Sequence, residues 1–81
     1  MDKNEVVDVI NGFLIEEFEI EEGVVQPDAS WSDLGIDSLD FVDIVVIIEK
    51  EFGFKLTGED MVNIRILGQF HEYIYQRQLS N

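Results

Sequence analysis

Apolar residues recur at helical spacing in several parts of this 81-residue chain, and the pattern predicts an all-α fold. Over residues 2–18 they fall three or four positions apart, which places them on one helix face. Asp2 and Glu5 have the spacing of an N-terminal capping box. The residues expected on this face are Val6, Val7, Ile10, Phe13, Leu14 and Phe18. The chain is therefore predicted to begin with an amphipathic helix.

A second helix is predicted over residues 38–52, with Asp37 as its N-cap and Gly53 as its stop. Residues 44–48 are all β-branched, which is typical of a strand. The helical spacing around them and the residues suited to capping at both ends favour a helix. Its expected buried face consists of Leu39, Val42, Val45, Val46, Ile48 and Phe52.

Between these helices, residues 19–36 form a long loop that Gly23 and Pro27 punctuate. A loop of this length is expected either to be packed down or to carry function. A short helical turn is expected around residues 30–34. The apolar residues expected to hold the loop against the helices are Ile20, Val24, Val25, Trp31, Leu34 and Ile36.

Two further helices complete the predicted fold. Thr57 has the position of a cap for a short helix through Val62 or Asn63, and a last helix covers residues 68–79. The apolar face of the last helix is expected to contain Phe70, Tyr73, Ile74 and Leu79. The fold is thus predicted to be a small four-helix bundle, with three longer helices and one short one, that forms a single domain over residues 1–81.

The charge of the chain restricts its partners. Eighteen acidic residues against five basic ones give a net charge of -13, which excludes nucleic acid and disfavours an anionic membrane surface. Proteins with basic patches are the expected partners, although acidity can also serve solubility alone. No apolar run has the length of a membrane span, and no signal peptide is evident, so a cytoplasmic protein is expected. The chain has no cysteine, so a thiol would have to come from an attached cofactor.

Few residues could support catalysis. His71 is the only histidine, and it has no clear metal-ligand spacing to acidic residues, so no metal site is predicted. A hydrolase that uses Ser38 as its nucleophile is disfavoured because neither a base nor a cleft is evident. The chain is therefore not expected to be an enzyme.

Ser38 is nevertheless a candidate site of chemical modification, because it lies at the predicted start of the second helix. Asp37 can cap the second helix, which would leave Ser38 at the first helical position with its hydroxyl directed outward. A negatively charged group attached there would meet the positive end of the helix dipole. Phosphorylation by a kinase would use the same physics, so geometry alone leaves the modification open.

The segment Leu34-Gly35-Ile36-Asp37-Ser38-Leu39-Asp40 resembles the phosphopantetheine attachment motif of acyl carrier proteins. The length, the acidity and the place of the motif at the start of the second helix extend the resemblance over essentially the whole chain. The resemblance implies that a phosphopantetheinyl transferase moves 4'-phosphopantetheine from coenzyme A to Ser38. The thiol of this arm would then carry acyl groups as thioesters for acyl-transferring and condensing enzymes, and the chain would be a free-standing monomer without catalytic activity.

The resemblance also assigns roles to other residues. The residues implied to line the acyl chain are Val42, Val46 and Ile64, and those implied to recognise partners are Asp37, Asp40, Asp43 and Glu49. Phe41 is larger than the residue that many carriers of fatty acid synthesis have beside the motif, and it either packs against the loop or selects partner enzymes. Fatty acid synthesis and a specialised polyketide, polyene or lipid pathway both stay open. The alternatives are an aminoacyl carrier, for example of D-alanine, and an acidic interaction module of carrier-like fold without a cofactor.

Overall fold

The computed structural model describes residues 1–80 and contains four α-helices. The helices are α1 (Lys3–Phe18), α2 (Phe41–Phe52), α3 (Gly58–Val62) and α4 (Leu67–Ser80), and a 3-10 helix covers Glu22–Val24. The predicted all-α bundle of three longer helices and one short one is confirmed. The single domain over residues 1–81 stays a prediction, and Asn81 lies outside the described residues.

Helix α1 begins as its sequence predicts. The Asp2 carboxylate accepts a hydrogen bond from the Glu5 amide at 2.9 Å, and the Glu5 carboxylate accepts one from the Asp2 amide at 3.3 Å. This reciprocal capping box satisfies amide groups that have no partner inside the helix. The buried residues of the helix are Val6, Ile10, Phe13 and Leu14, and α4 is its main packing partner.

The long loop between α1 and α2 is packed down against the start of α4. The amides of Leu67 and Gly68 donate to the carbonyls of Ala29 and Pro27, each at 2.8 Å. The predicted turn near residues 30–34 is present as a hydrogen bond from the Leu34 amide to the Ser30 carbonyl at 3.1 Å. Of the predicted loop anchors, Ile20, Val25, Leu34 and Ile36 are buried and Trp31 is half-buried. Val24 is exposed, so that part of the prediction is wrong.

Helix α2 begins at Phe41, three residues later than the sequence predicts. The backbone at Asp37 first forms a tight turn, in which the Asp40 amide bonds the Asp37 carbonyl at 3.1 Å and the Phe41 amide bonds the Ser38 carbonyl at 3.3 Å. These contacts span three residues rather than the four of an α-helix. Gly53 ends the helix as predicted, with a φ of 80° and its amide bonded to the Glu49 carbonyl at 2.9 Å.

The buried face of α2 differs from the prediction. Ile44 and Ile48 are fully buried, whereas Leu39, Val42 and Val46 are 80%, 67% and 58% exposed. The helix carries apolar residues around most of its circumference, so the spacing alone was compatible with more than one buried face. The prediction that Leu39, Val42 and Val46 are buried is therefore wrong.

Helices α3 and α4 close the bundle. Thr57 and Asp60 form the capping box predicted for α3, whose Met61 is fully buried. Helix α4 begins one residue earlier and ends one residue later than predicted, and buries Phe70 and Ile74. Its residue Leu79 is exposed, contrary to the prediction.

Candidate functional site

Two buried side chains hold the segment that leads to Ser38. Leu34 and Ile36 lie in the core, and the Ile36 amide donates to the Trp31 carbonyl at 2.9 Å. Gly35 between them has a φ of 74°, a backbone conformation that costs a glycine little and other residues more. The local sequence therefore fixes where the chain emerges at the surface.

Asp37 and Asp40 cap the turn that contains Ser38. The Asp37 carboxylate accepts hydrogen bonds from the Leu39 amide at 2.9 Å and from the Asp40 amide at 3.3 Å. The Asp40 carboxylate accepts one from the Asp37 amide at 3.1 Å. Capping is thus carried out by the neighbours of Ser38, and Ser38 itself is exposed. Asp37 was predicted to be the N-cap of α2, and that prediction is wrong, because the N-cap is Asp40 and Asp37 caps only the preceding turn. Ser38 lies in this turn rather than at the first helical position.

An apolar cavity of about 500 Å³ begins at Ser38 and lies between α2 and α3. Its lining consists of Ser38, Phe41, Val42, Val45, Val46, Gly58 and Val62. Pockets of this volume are large enough for ligands of drug size. An exposed hydroxyl at the rim of an apolar cavity suits a covalently attached arm that carries an apolar group, so these residues fit a phosphopantetheine group.

The three residues implied to line the acyl chain differ in their relation to the cavity, and their role toward an acyl chain stays a prediction. Val42 and Val46 line the cavity, and their exposure follows from their position on its wall. Ile64 does not line it: its side chain is buried, and its carbonyl accepts a hydrogen bond from the Trp31 indole at 2.8 Å. The sequence reasoning missed Gly58 and Val62, which are one helical turn apart on α3. That i, i+4 spacing was the available signal, because it places both residues on the same helix face.

Phe41 has two kinds of contact. Its ring meets the Trp31 ring edge to face, with centroids 5.6 Å apart, and Trp31 in turn meets Phe70 at 5.3 Å. Phe41 therefore packs against the loop, which was one of its two predicted roles. It also lines the cavity. Its role in selecting partners stays a prediction.

The residues predicted to recognise partners differ in exposure. Asp37, Asp43 and Glu49 are exposed, whereas Asp40 is half-buried and engaged in capping. Leu39 and Val42 are exposed apolar residues close to them in the chain. The N-terminal end of α2 thus presents carboxylates and apolar side chains side by side.

His71 belongs to the core rather than to the site. Its Nε2 atom lies 2.8 Å from the Asn11 side-chain oxygen, and the residue is buried between α4 and α1. Burial, followed by the positive charge of Lys3, lowers the pKa of His71 to about 4, so the ring is neutral at pH 7. Within residues 1–80, no group of three or more acidic or histidine side chains is placed to hold a metal ion.

No helix among residues 1–80 combines the length and the apolar character needed to cross a membrane.

A protein-family model described as "Phosphopantetheine attachment site" matches residues 8–74. The matched span runs from α1 into α4 and contains the Ser38 turn and every residue that lines the cavity.

Proposed function

Since this chain belongs to the phosphopantetheine attachment family, we propose that the Ser38 hydroxyl is the point at which its prosthetic group is joined. Domains of this family hold 4'-phosphopantetheine covalently and act as carriers rather than as catalysts. The proposal for Ser38 is supported by its exposure, by the capping contacts of its two neighbours and by the cavity that begins at its side chain.

The surroundings of Ser38 suit a residue that is modified by another protein. Asp37 and Asp40, which are close to Ser38 in the chain, use their carboxylates to accept hydrogen bonds from backbone amides. Activation of the hydroxyl therefore falls to the transferase. In the transfer, the Ser38 oxygen bonds to the phosphorus that bears the pantetheine, the phosphoanhydride of coenzyme A breaks, and adenosine 3',5'-bisphosphate leaves. The hydroxyl proton passes to a base of the transferase. The N-terminal end of α2 offsets part of the negative charge that the phosphodiester brings.

We infer that the cargo is an acyl chain rather than an amino acid. The observation that carries this inference is the lining of the cavity, which is aliphatic and aromatic beyond the Ser38 hydroxyl and the Gly58 backbone. A saturated chain gains free energy by leaving water at about 25 cal/mol per Å² of buried apolar surface. An aminoacyl group would bring a charged amine, which would be left without a partner in such a cavity. Fatty acid, polyketide and lipid synthesis are the pathways that suit an acyl cargo.

We infer that the partner enzymes approach the N-terminal end of α2. Asp37 and Asp43 lie exposed on this side, and the net charge of -13 attracts proteins with basic surfaces. Exposed Leu39 and Val42 supply apolar contact area beside these charges. The phosphopantetheinyl transferase is the first partner that the proposal requires, and enzymes that load, extend or remove the acyl group follow.

The attachment site can be tested by intact-mass measurement. Wild-type protein incubated with coenzyme A and a broad-specificity phosphopantetheinyl transferase is expected to gain the mass of one arm, and Ser38→Ala is expected to gain none. Ser32→Ala is the matched control, because Ser32 is another exposed serine in the preceding turn. Modification of Ser38→Ala, or no modification of the wild type, would contradict the proposal.

The cargo can be tested on the modified protein. A saturated acyl chain on the arm is expected to raise the Tm relative to the unloaded arm, because the chain is removed from water in the cavity. An aminoacyl group on the same arm is expected to leave the Tm unchanged. An equal increase with both groups would refute the acyl inference while leaving the attachment site intact.

A further inference from the structure

Helix α3 forms one wall of the cavity but is too short to be stable alone. It has five residues, Gly58–Val62, and an isolated helix of that length does not persist in water. Two of its residues, Gly58 and Val62, line the cavity opposite α2. The shape of the cavity therefore depends on the contacts that hold α3 in place.

The Asp60 carboxylate connects the capping box of α3 to α4. Its Oδ2 atom accepts hydrogen bonds from the Thr57 amide and the Thr57 hydroxyl, both at 2.9 Å. Its Oδ1 atom accepts one from the Tyr73 hydroxyl at 2.7 Å. The Tyr73 bond is the largest cause of a lowered pKa of Asp60, and the charged form of the carboxylate is thereby favoured. One side chain thus links the start of α3 to the middle of α4.

Arg77 extends this connection to the segment before α3. Its Nη1 atom donates to the Tyr73 hydroxyl oxygen at 3.1 Å and lies 3.8 Å from the Asp60 Oδ2 atom. Its Nη2 atom donates to the Lys55 carbonyl at 3.2 Å, and the guanidinium lies 4.8 Å from the centre of the Phe54 ring. Thr57, Asp60, Tyr73 and Arg77 together are called the Asp60 network below.

We propose that the Asp60 network fixes the position of α3 and thereby sets which acyl chains the cavity accepts. The members of the network act as positioning residues, because none of them lines the cavity. They act through Gly58 and Val62, which do line it. The inference rests on the proposed carrier function for its cargo, but the restraint on α3 is a property of the unmodified chain. Loosening the network widens the range of chains that are accepted.

The first test uses unmodified protein, so it needs no arm. Tyr73→Phe keeps the ring and removes the hydroxyl that bonds Asp60, and Tyr75→Phe on the same helix is the matched control. Amide hydrogen exchange at Met61 and Val62 is expected to be about tenfold faster in Tyr73→Phe, the change that corresponds to one charge-assisted hydrogen bond. It is expected to be unchanged in Tyr75→Phe. Equal exchange in the two variants would overturn the restraint.

The second test measures cargo selection, which a purely structural role would leave unchanged. Short, medium and long saturated chains are loaded on the arm, and the rate of thioester cleavage by hydroxylamine is measured for each. In the wild type, chains of one length range are expected to be cleaved most slowly. In Tyr73→Phe, the ratio between the fastest and the slowest cleavage rate is expected to be at least about threefold smaller than in Tyr75→Phe. Arg77→Gln, which leaves the Tyr73 hydroxyl and Asp60 in place, is expected to flatten it less.

The outcomes separate this inference from the proposed function. Failure of wild-type Ser38 to accept an arm would refute the carrier site, while the exchange experiment would still decide on the restraint of α3. An unchanged chain-length preference in Tyr73→Phe, with a normally loaded Ser38, would overturn the Asp60 network alone.

Discussion

Acidification is expected to destabilise this protein through His71, because the buried ring resists protonation. Its pKa is about 4 in the folded chain and about 6.5 in the unfolded chain. The unfolded state therefore binds more protons than the folded state between these values, and the free energy of unfolding falls as the pH falls through that window. Above pH 6.5 both states are neutral at this residue and the effect is absent.

The size of the effect follows from the two pKa values. One pKa unit corresponds to about 1.36 kcal/mol, so the contribution of His71 falls by about 3 kcal/mol between about pH 7 and pH 4. A domain of this size has a total stability on the order of 4–12 kcal/mol. The loss is therefore a large share of the whole. Acidification also makes the net charge of -13 less negative, and the resulting loss of repulsion acts in the opposite direction.

The comparison with His71→Gln separates these two effects. Glutamine can donate an N–H to the Asn11 oxygen and does not titrate, while all carboxylates are common to both proteins. Urea unfolding is measured at several pH values from about 7 to about 4. The stability of the wild type is expected to fall by about 3 kcal/mol relative to the variant, over the range between 6.5 and about 4. Parallel pH profiles would refute the reasoning, because they would mean that His71 accepts a proton equally well in both states.

Two further predictions concern α2. Asp43→Lys is expected to slow association with the phosphopantetheinyl transferase by about tenfold or more at low salt. Asp28→Lys makes the same charge change in the loop and is expected to slow association less. Equal association rates for the two variants in stopped-flow measurements would argue against docking at the N-terminal end of α2. Ile44→Ala is expected to lower the free energy of unfolding in urea by about 2–5 kcal/mol, because Ile44 is fully buried. Val46→Ala is expected to lower it by less than about 1 kcal/mol, because Val46 lies exposed on the cavity wall. Similar costs at both positions would mean that the buried face of α2 has been assigned wrongly.

Features that depend on a few neighbouring residues were predictable from the sequence. The capping boxes at Asp2 and at Thr57 and the stop at Gly53 are hydrogen bonds within one helical turn, so the residues that form them are close in the chain. The capping of the Ser38 turn by Asp37 is equally local. The family resemblance rests on the same short stretch, which is why the carrier class could be recognised before the fold was known.

Features that depend on distant elements were decided only by the tertiary structure. Helix α2 is apolar on several sides, and its packing in the bundle buries Ile44 while Val42 is left on the cavity wall. The cavity that Val42 and Val62 both line, and the bond from Tyr73 to Asp60, likewise join separate helices. The sequence by itself determined the capped starts of α1 and α3 and the end of α2, because those features rest on hydrogen bonds between near neighbours. The tertiary structure decided which apolar residues form the core and which form the cavity, because burial depends on what the rest of the chain places against each face.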